Sequence, residues 1–499
     1  IRRQRQMCIR DSWRTDPASK LLVATVPDWK SGAVVAQRSV NEERRTSVNT
    51  YPIPFYGNRP LPWRGWSFRL DNRRQFVIAV DDRGRERWRL TTVGDLAVPG
   101  GEARVPYAFE GNYVRAAGHL LLVVLGNRFA VIDGLGDNRH PHVLWCRNLF
   151  EDKNGVQSRI VRLMPGAIGA GPGWFKITDS TGRPLGHVGQ LGSQRLTYQV
   201  GTAIEAADPV TGQVLWRRGG VPRGCRIYGT ERFVCVEPDG RNEVLVLDAA
   251  DGTAVATRTL PVTGELIARI GRCVVSRRET GTSQLVTGFD MVSGKTAFEV
   301  KLAGDLRPVV VGHDGVGLLE PDGRFRVIDA VKGRVRVDAK LASIFETPKS
   351  FMVLATPQRY LVMVNRPTNV RVRGTSTRAV TVHGAAWAIS TSARSDGKPV
   401  TRADWGPVKI EHQAIEVDQP LHLPVLAFAS RVYRPVQNVL QPRPRTEYGV
   451  LVLDVRTGKI AHTETSTLPV SAMRASSDRG KQQVTLEFYR TTISLSFTD

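Results

Sequence analysis

The chain has 499 residues, with 47 glycines and 29 prolines, and its 70 Lys plus Arg against 47 Asp plus Glu give a formal net charge of +23. The helix signal is weak throughout, the glycine and proline content fits many short strands and turns, and no apolar run approaches the ~20 residues that a membrane-spanning helix needs. The basic balance would suit nucleic acid, an anionic polysaccharide or an anionic membrane surface. Arginines are spread along the whole chain, however, with no block of five or more like charges and no aromatic–basic RNA-binding motif, so no nucleic-acid partner is expected.

In chain order, Ile1 to Ser12 (IRRQRQMCIRDS) reads as translated sequencing-adapter sequence of the kind found in metagenomic assemblies. Residues 1–12 are therefore expected to be non-native, and the native chain to be truncated before Trp13. Residues 13–60 form a lead-in: a strand at Ala33-Val-Val-Ala36, a polar run from Asn41 to Arg45, and a Pro-rich approach from Tyr51 to Phe55. The lead-in is expected to supply an outer or closing strand. Strand-like segments then follow at Trp66–Leu70 and Gln75–Val80, with a short turn at Asp82-Arg-Gly84 and a strand ending at Trp88. A second module comprises Leu120–Leu125, Phe129–Asp133, a long turn and Val143-Leu-Trp145, and a degenerate copy is expected at Phe175 to Gly182. Between 338 and 440 the pattern blurs to one module, Gly384–Ile389, an enlarged polar turn and Trp405-Gly-Pro407, with an inserted loop from Pro435 to Arg445. The end alternates as strands do, at Val484–Phe488 and Ile493–Phe497.

The stretch 201–337 repeats itself. It carries Asp208-Pro-Val-Thr-Gly212, Asp248-Ala-Ala-Asp-Gly252, Asp290-Met-Val-Ser-Gly294 and Asp329-Ala-Val-Lys-Gly333, with the aspartates 40, 42 and 39 positions apart. A fifth copy, Asp454-Val-Arg-Thr-Gly458, lies 125 positions further on, close to three more periods. Apolar strands such as Val244–Leu247 and Val450–Leu453 precede the motif. Asp can hydrogen-bond its own backbone a few residues on, and Gly supplies a positive φ, so each motif predicts a hairpin turn. Trp216 stands four residues after Gly212, where a large ring can fill the gap to a neighbouring blade; later copies place Ala256, Phe298, Val337 and His462 there. A period near 40 residues with strand signals in each copy predicts an all-β propeller over 61–499, of about eight four-stranded blades, with seven as the alternative.

Asp-x-x-x-Gly-x-x-x-Trp after an apolar strand resembles the PQQ-like, or quinoprotein-type, propeller repeat, as found in planctomycete-type PQQ-like propeller proteins and in the outer-membrane assembly lipoprotein propeller. As a dehydrogenase, that resemblance implies PQQ over the central channel, a Ca²⁺ held by carboxylate and amide oxygens, and a carboxylate base. Such enzymes also tend to carry adjacent cysteines, and this sequence has no Cys-Cys pair. The repeat aspartates are better explained by turn chemistry, so no catalytic, cofactor-binding or metal-binding residue is expected, and no cofactor.

His140-Pro-His142 with Cys146 has a spacing that permits a transition-metal site, but these residues are expected to be a solvated loop pair and a strand residue. His383, His412 and His422 default to surface or core roles. Cys225 and Cys235 flank a turn at Tyr228–Arg232, which leaves a cross-strand disulfide open beside buried thiols. Gly166–Gly173 is glycine-rich, but no helix pattern follows it to hold a phosphate, and no Walker, zincin or nucleophile-elbow motif occurs. The expected role is a non-catalytic, monomeric binding or scaffold module, the C-terminal portion of a larger protein with other proteins as partners, and the resemblance implies that this is a protein of the bacterial periplasm or cell envelope. The loops at 133–145, 390–405 and 435–447 are its expected contact surface. A quinoprotein dehydrogenase-like enzyme and a polyanion-binding propeller are the alternatives.

Overall fold

The computed structural model describes residues 188–341 save 239–240, 262–263, 305 and 313, and outside that stretch chiefly the strands between Trp13 and Phe497. Among the described residues every regular element is a strand. Eight four-stranded sheets follow one another along the chain: sheet I (61–91), II (113–148), III (188–218), IV (226–259), V (265–303), VI (309–340), VII (350–410) and VIII (413–466). Within each, the strands lie side by side in chain order and run antiparallel, as short connections require. A ninth sheet joins the two ends of the chain. Strand Ala33–Val40 of the lead-in pairs with Thr491–Phe497 over seven residue pairs, from Val34↔Phe497 to Val40↔Thr491.

First strands of successive sheets lie against each other: Val188–Leu191 beside Arg226–Gly229, the latter beside Glu265–Ile270, and Val309–Val311 beside Ser350–Ala355. Consecutive antiparallel meanders with their first strands together, closed by pairing the chain's ends, define a β-propeller. Burial follows from this layout. Central strands are covered on both faces, so Ala203–Ala207 and Gly315–Leu319 are buried at every position. The outermost strands Val214–Arg218 and Ala254–Thr259 are exposed or half-buried throughout. The core is a series of clusters between neighbouring sheets. One of them joins VI to VII through Phe325, Val327, Val353, Val362, Trp387 and Ile389, each such side chain contributing about 1.5–3 kcal/mol.

Two expectations need correction here. Among the described residues the degenerate copy expected at Phe175–Gly182 is a two-stranded hairpin and not a blade: Phe175–Thr178 pairs with Arg159–Arg162 and with no other described strand. Trp145 of sheet II reaches the turn 208–212 of sheet III directly, so II and III are neighbours and no four-stranded sheet stands between them. The blurred stretch 338–440 holds, besides the one module expected there (sheet VII), the first two strands of sheet VIII, whose last two strands flank the fifth copy at Asp454–Gly458. Much of the turn expected at 390–405 is paired strand, from Ser390↔Arg402 to Ala393↔Pro399. Residues 1–12, the loop 435–444 and the glycine-rich 166–173 lie outside the described residues.

Candidate functional site

The repeat residues build a lock between sheets. In each regular copy the Gly N–H donates to the Asp carbonyl, at 2.9 Å for Gly212 to Asp208 and 2.8 Å for Gly458 to Asp454. The Gly φ values of 70°, 74°, 69°, 66° and 71° at Gly212, Gly252, Gly294, Gly333 and Gly458 lie in the left-handed region, where a side chain is disfavoured. The Asp carboxylate accepts N–H groups of its own turn: Val210 and Thr211 donate to Asp208 Oδ1, Ala250 to Asp248, Val292 to Asp290, Lys332 to Asp329 and Arg456 to Asp454. These donors, Thr211 first, hold Asp208 below the usual carboxylate range.

On each such turn sits a side chain from the preceding sheet. Trp145 Nε1 donates to Pro209 O at 2.9 Å, Trp216 Nε1 to Ala249 O at 2.9 Å and Trp405 Nε1 to Val455 O at 2.5 Å. In all three the acceptor is the residue just after the turn Asp. The ring lies over the turn Gly: a Cβ on Gly252 would sit 2.6 Å from Trp216 Cε3, and one on Gly458 2.8 Å from Trp405 Cδ2. Sheet IV has Ala256 at the tryptophan position, and Arg258, two residues on, takes over. Its Nη2 donates to Val292 O at 3.1 Å and its Cζ lies 3.0 Å from where a Cβ of Gly294 would be. Phe298 and the Ala297 carbonyl cover Gly333. His462 is buried, its Nε2 3.6 Å from Glu464 Oε2.

The other candidates do not converge. His142 is exposed at the start of its strand, 3.8 Å from Asp133 Oδ2. Cys146 is half-buried four residues along that strand, a separation of about 13 Å. His383 is paired in register with Arg366, and His140, His412 and His422 lie outside the described residues. Cys225 and Cys235 are not cross-strand partners, because Cys235 faces Tyr228 and both thiols are free; the disulfide left open by the sequence is absent. Burial pushes the Cys235 and Cys273 thiols up to about 12, which makes them unreactive packing groups.

Buried polar groups that the sequence did not mark tie the sheets together. Gln199 accepts from Cys225 N at 2.8 Å and donates to Pro222 O at 2.6 Å. Gln284 donates to Leu306 O at 2.6 Å. Arg269 of sheet V holds Glu237 of sheet IV with two nitrogens. Burial and then Glu205 push Tyr198 up to about 12. A cleft lined by Gly192, Arg195, Tyr228, Thr230, Glu231 and Phe233 has a volume of about 30 Å³, room for a water or two.

The three expected contact loops do not share one surface. Those at 133–145 and 390–405 join the third and fourth strands of their sheets, whereas 435–447 joins the second and third strands of sheet VIII, at the opposite end.

The class that fold and lock define is a β-propeller. No family model matches the chain, and no curated protein does. Among solved structures it is similar to BamB from Moraxella catarrhalis, at 13% identity and TM-score 0.33, covering 70% of this chain and 92% of that one. It is also similar to the quinohemoprotein alcohol dehydrogenase ADHIIG from Pseudomonas putida HK5, at 11% identity and TM-score 0.34, covering 89% and 75%. The WD40 domain of SCAP from fission yeast matches at 8% identity and TM-score 0.35, over 92% and 98%. The likeness is one of fold alone.

Proposed function

We propose that this propeller is a non-catalytic binding scaffold of the bacterial cell envelope that engages other proteins as a monomer. The observation that carries the reading is the use made of the repeat residues. Asp208, Asp248, Asp290, Asp329 and Asp454 spend carboxylate oxygens on their own turns, and Trp145, Trp216 and Trp405 spend their rings and N–H groups on the next sheet. The residues that carry the quinoprotein likeness thus account for architecture and leave no general base among themselves. A rigid ring with variable hairpins at both ends suits recognition. No helix among the described residues is long and apolar enough to cross a membrane.

The test is chemical crosslinking of the purified chain to a solubilised bacterial envelope, then reconstitution of each captured protein from purified components. A stoichiometric reconstituted complex is expected. Failure of every candidate to reconstitute, together with PQQ-dependent dye reduction by the chain, would favour the dehydrogenase-like alternative instead.

A further inference from the structure

Two hairpins of neighbouring sheets border the cleft between sheets III and IV. Residues 192–195 join the first two strands of sheet III, and residues 230–232 those of sheet IV. Both are tight: Gly192 N donates to Arg195 O at 2.8 Å and Thr230 N to Phe233 O at 2.9 Å. They are also tied to each other, since Ser193 donates its N–H and its hydroxyl to Glu231 Oε1, each at 3.2 Å. Ala249, the residue after a turn Asp, belongs to the same lining, so the cleft lies at the end of the molecule that carries the Asp–Gly turns.

The cleft holds one charge of each sign, and the two do not meet. Arg195 and Glu231 both line it, yet no ion pair joins them, and the buried Nε of Arg195 has no hydrogen-bond partner among the described residues. Elsewhere arginine bonds carboxylate directly, as Arg269 does Glu237 and Arg217 does Glu205. Other arginines with a buried, unbonded Nε, such as Arg258, Arg272 and Arg326, find a partner through another nitrogen. Arg195 does not. Leaving a buried donor unmet is unfavourable, and a ligand group in the cleft would meet it.

Hydrogen-bond type and size select the ligand. A guanidinium only donates and a carboxylate only accepts, so a group that bridges Arg195 and Glu231 must offer an acceptor to one and a donor to the other. A carboxylate is repelled by Glu231, and an ammonium by Arg195. A carboxamide satisfies both, with its oxygen toward Arg195 and its NH₂ toward Glu231. The volume of about 30 Å³ is that of about two waters, and so of the oxygen and nitrogen of one carboxamide; whatever carries the group stays outside. An Asn or Gln side chain on a polypeptide meets this description. The bonds from Ser193 hold Glu231 in place beforehand, so little ordering is needed on binding.

We infer that the cleft between sheets III and IV binds the carboxamide of an Asn or Gln side chain presented by a partner protein, with Arg195 donating to its oxygen and Glu231 accepting from its nitrogen. This rests on the protein-binding reading above. The test uses the full chain and ligand-observed saturation-transfer NMR with propionamide, propionate and propylammonium. A short Ser–Gly peptide with Gln, Glu or Met at its centre is the second set of probes. Propionamide should bind at least about tenfold more tightly than either charged probe, and the Gln peptide than the other two. Because the ligand is neutral, binding should hold as salt rises. Arg195→Met should weaken amide binding at least about tenfold while the thermal midpoint holds or rises, since it removes an unmet donor. Glu231→Gln should shift the preference from amide toward carboxylate, because the repelling charge is gone.

Equal binding of amide and acid, or amide binding unchanged in Arg195→Met, would overturn the proposal. Absence of saturable binding for every probe would also overturn it and leave the cleft to water alone. Saturable propionamide binding with the three peptides indistinguishable would overturn the polypeptide source in favour of a free small amide. A partner complex that reconstitutes equally well with Arg195→Met would remove this site while leaving the protein-binding reading intact.

Discussion

A tryptophan on one sheet and a glycine on the next set how closely two sheets approach. Gly252 combines a φ of +74° with a ring 2.6 Å from its missing Cβ, whereas Gly220 has a φ of +77° and nothing within 4 Å. The two positions separate backbone strain from contact. Gly220→Ala should cost about 1 kcal/mol, the backbone part alone, and Gly252→Ala about 2–4 kcal/mol because the Trp216 ring must also shift. Urea unfolding of both variants checks this; equal losses would mean that the ring is not seated on the turn. Acid provides a second residue-scale test. Asp208 is held below its usual range by the Thr211 and Val210 amides, and Asp338 by Arg324. Groups lowered in the folded state contribute stability above their unfolded value and lose it as pH falls through the folded one. The thermal midpoint should therefore be level from neutral pH to about 5 and fall below about 4. Asp208→Ala should lower the neutral midpoint and make the acid decline shallower; an acid slope unchanged by that substitution would count against the turn account.

At the scale of elements, the closing sheet is the least redundant part of the ring. Ala36 pairs with Ala24 on one side and Leu495 on the other, so Ala36→Pro removes a ladder hydrogen bond at a cost of about 3 kcal/mol or more. It should also leave Thr491–Phe497 as an open edge that promotes association. A lower thermal midpoint with concentration-dependent light scattering is expected, and an unchanged midpoint would show that the ring does not depend on this closure. The same scale explains what the sequence made legible. Sheets III to VI were readable because each carries a turn of fixed length with Asp and Gly at fixed offsets. Sheets VII and VIII blurred because their hairpins are longer, so the period is lost although the pairing is not. Phe175–Gly182 misled because two short apolar strands and a turn look alike in sequence whether or not further strands join them. Arg258 was missed because position 256 looked empty; two residues further along a strand is the same face, and a long side chain from there reaches the same turn.

At the scale of the whole molecule, a ring of sheets locked by repeated side chains leaves its hairpin ends as the variable surface. Among the described residues, positive charge within the sheets meets carboxylates, as in Arg336 with Asp314 and Asp329 or Arg269 with Glu237. On this account the quinoprotein-like signature is structural. The measurement that bears on it most directly is a titration of the purified chain with PQQ and Ca²⁺, following tryptophan fluorescence. The account predicts no saturable quenching at micromolar PQQ. Tight, saturable quenching that depends on Ca²⁺ would contradict it and make the protein a cofactor-binding propeller.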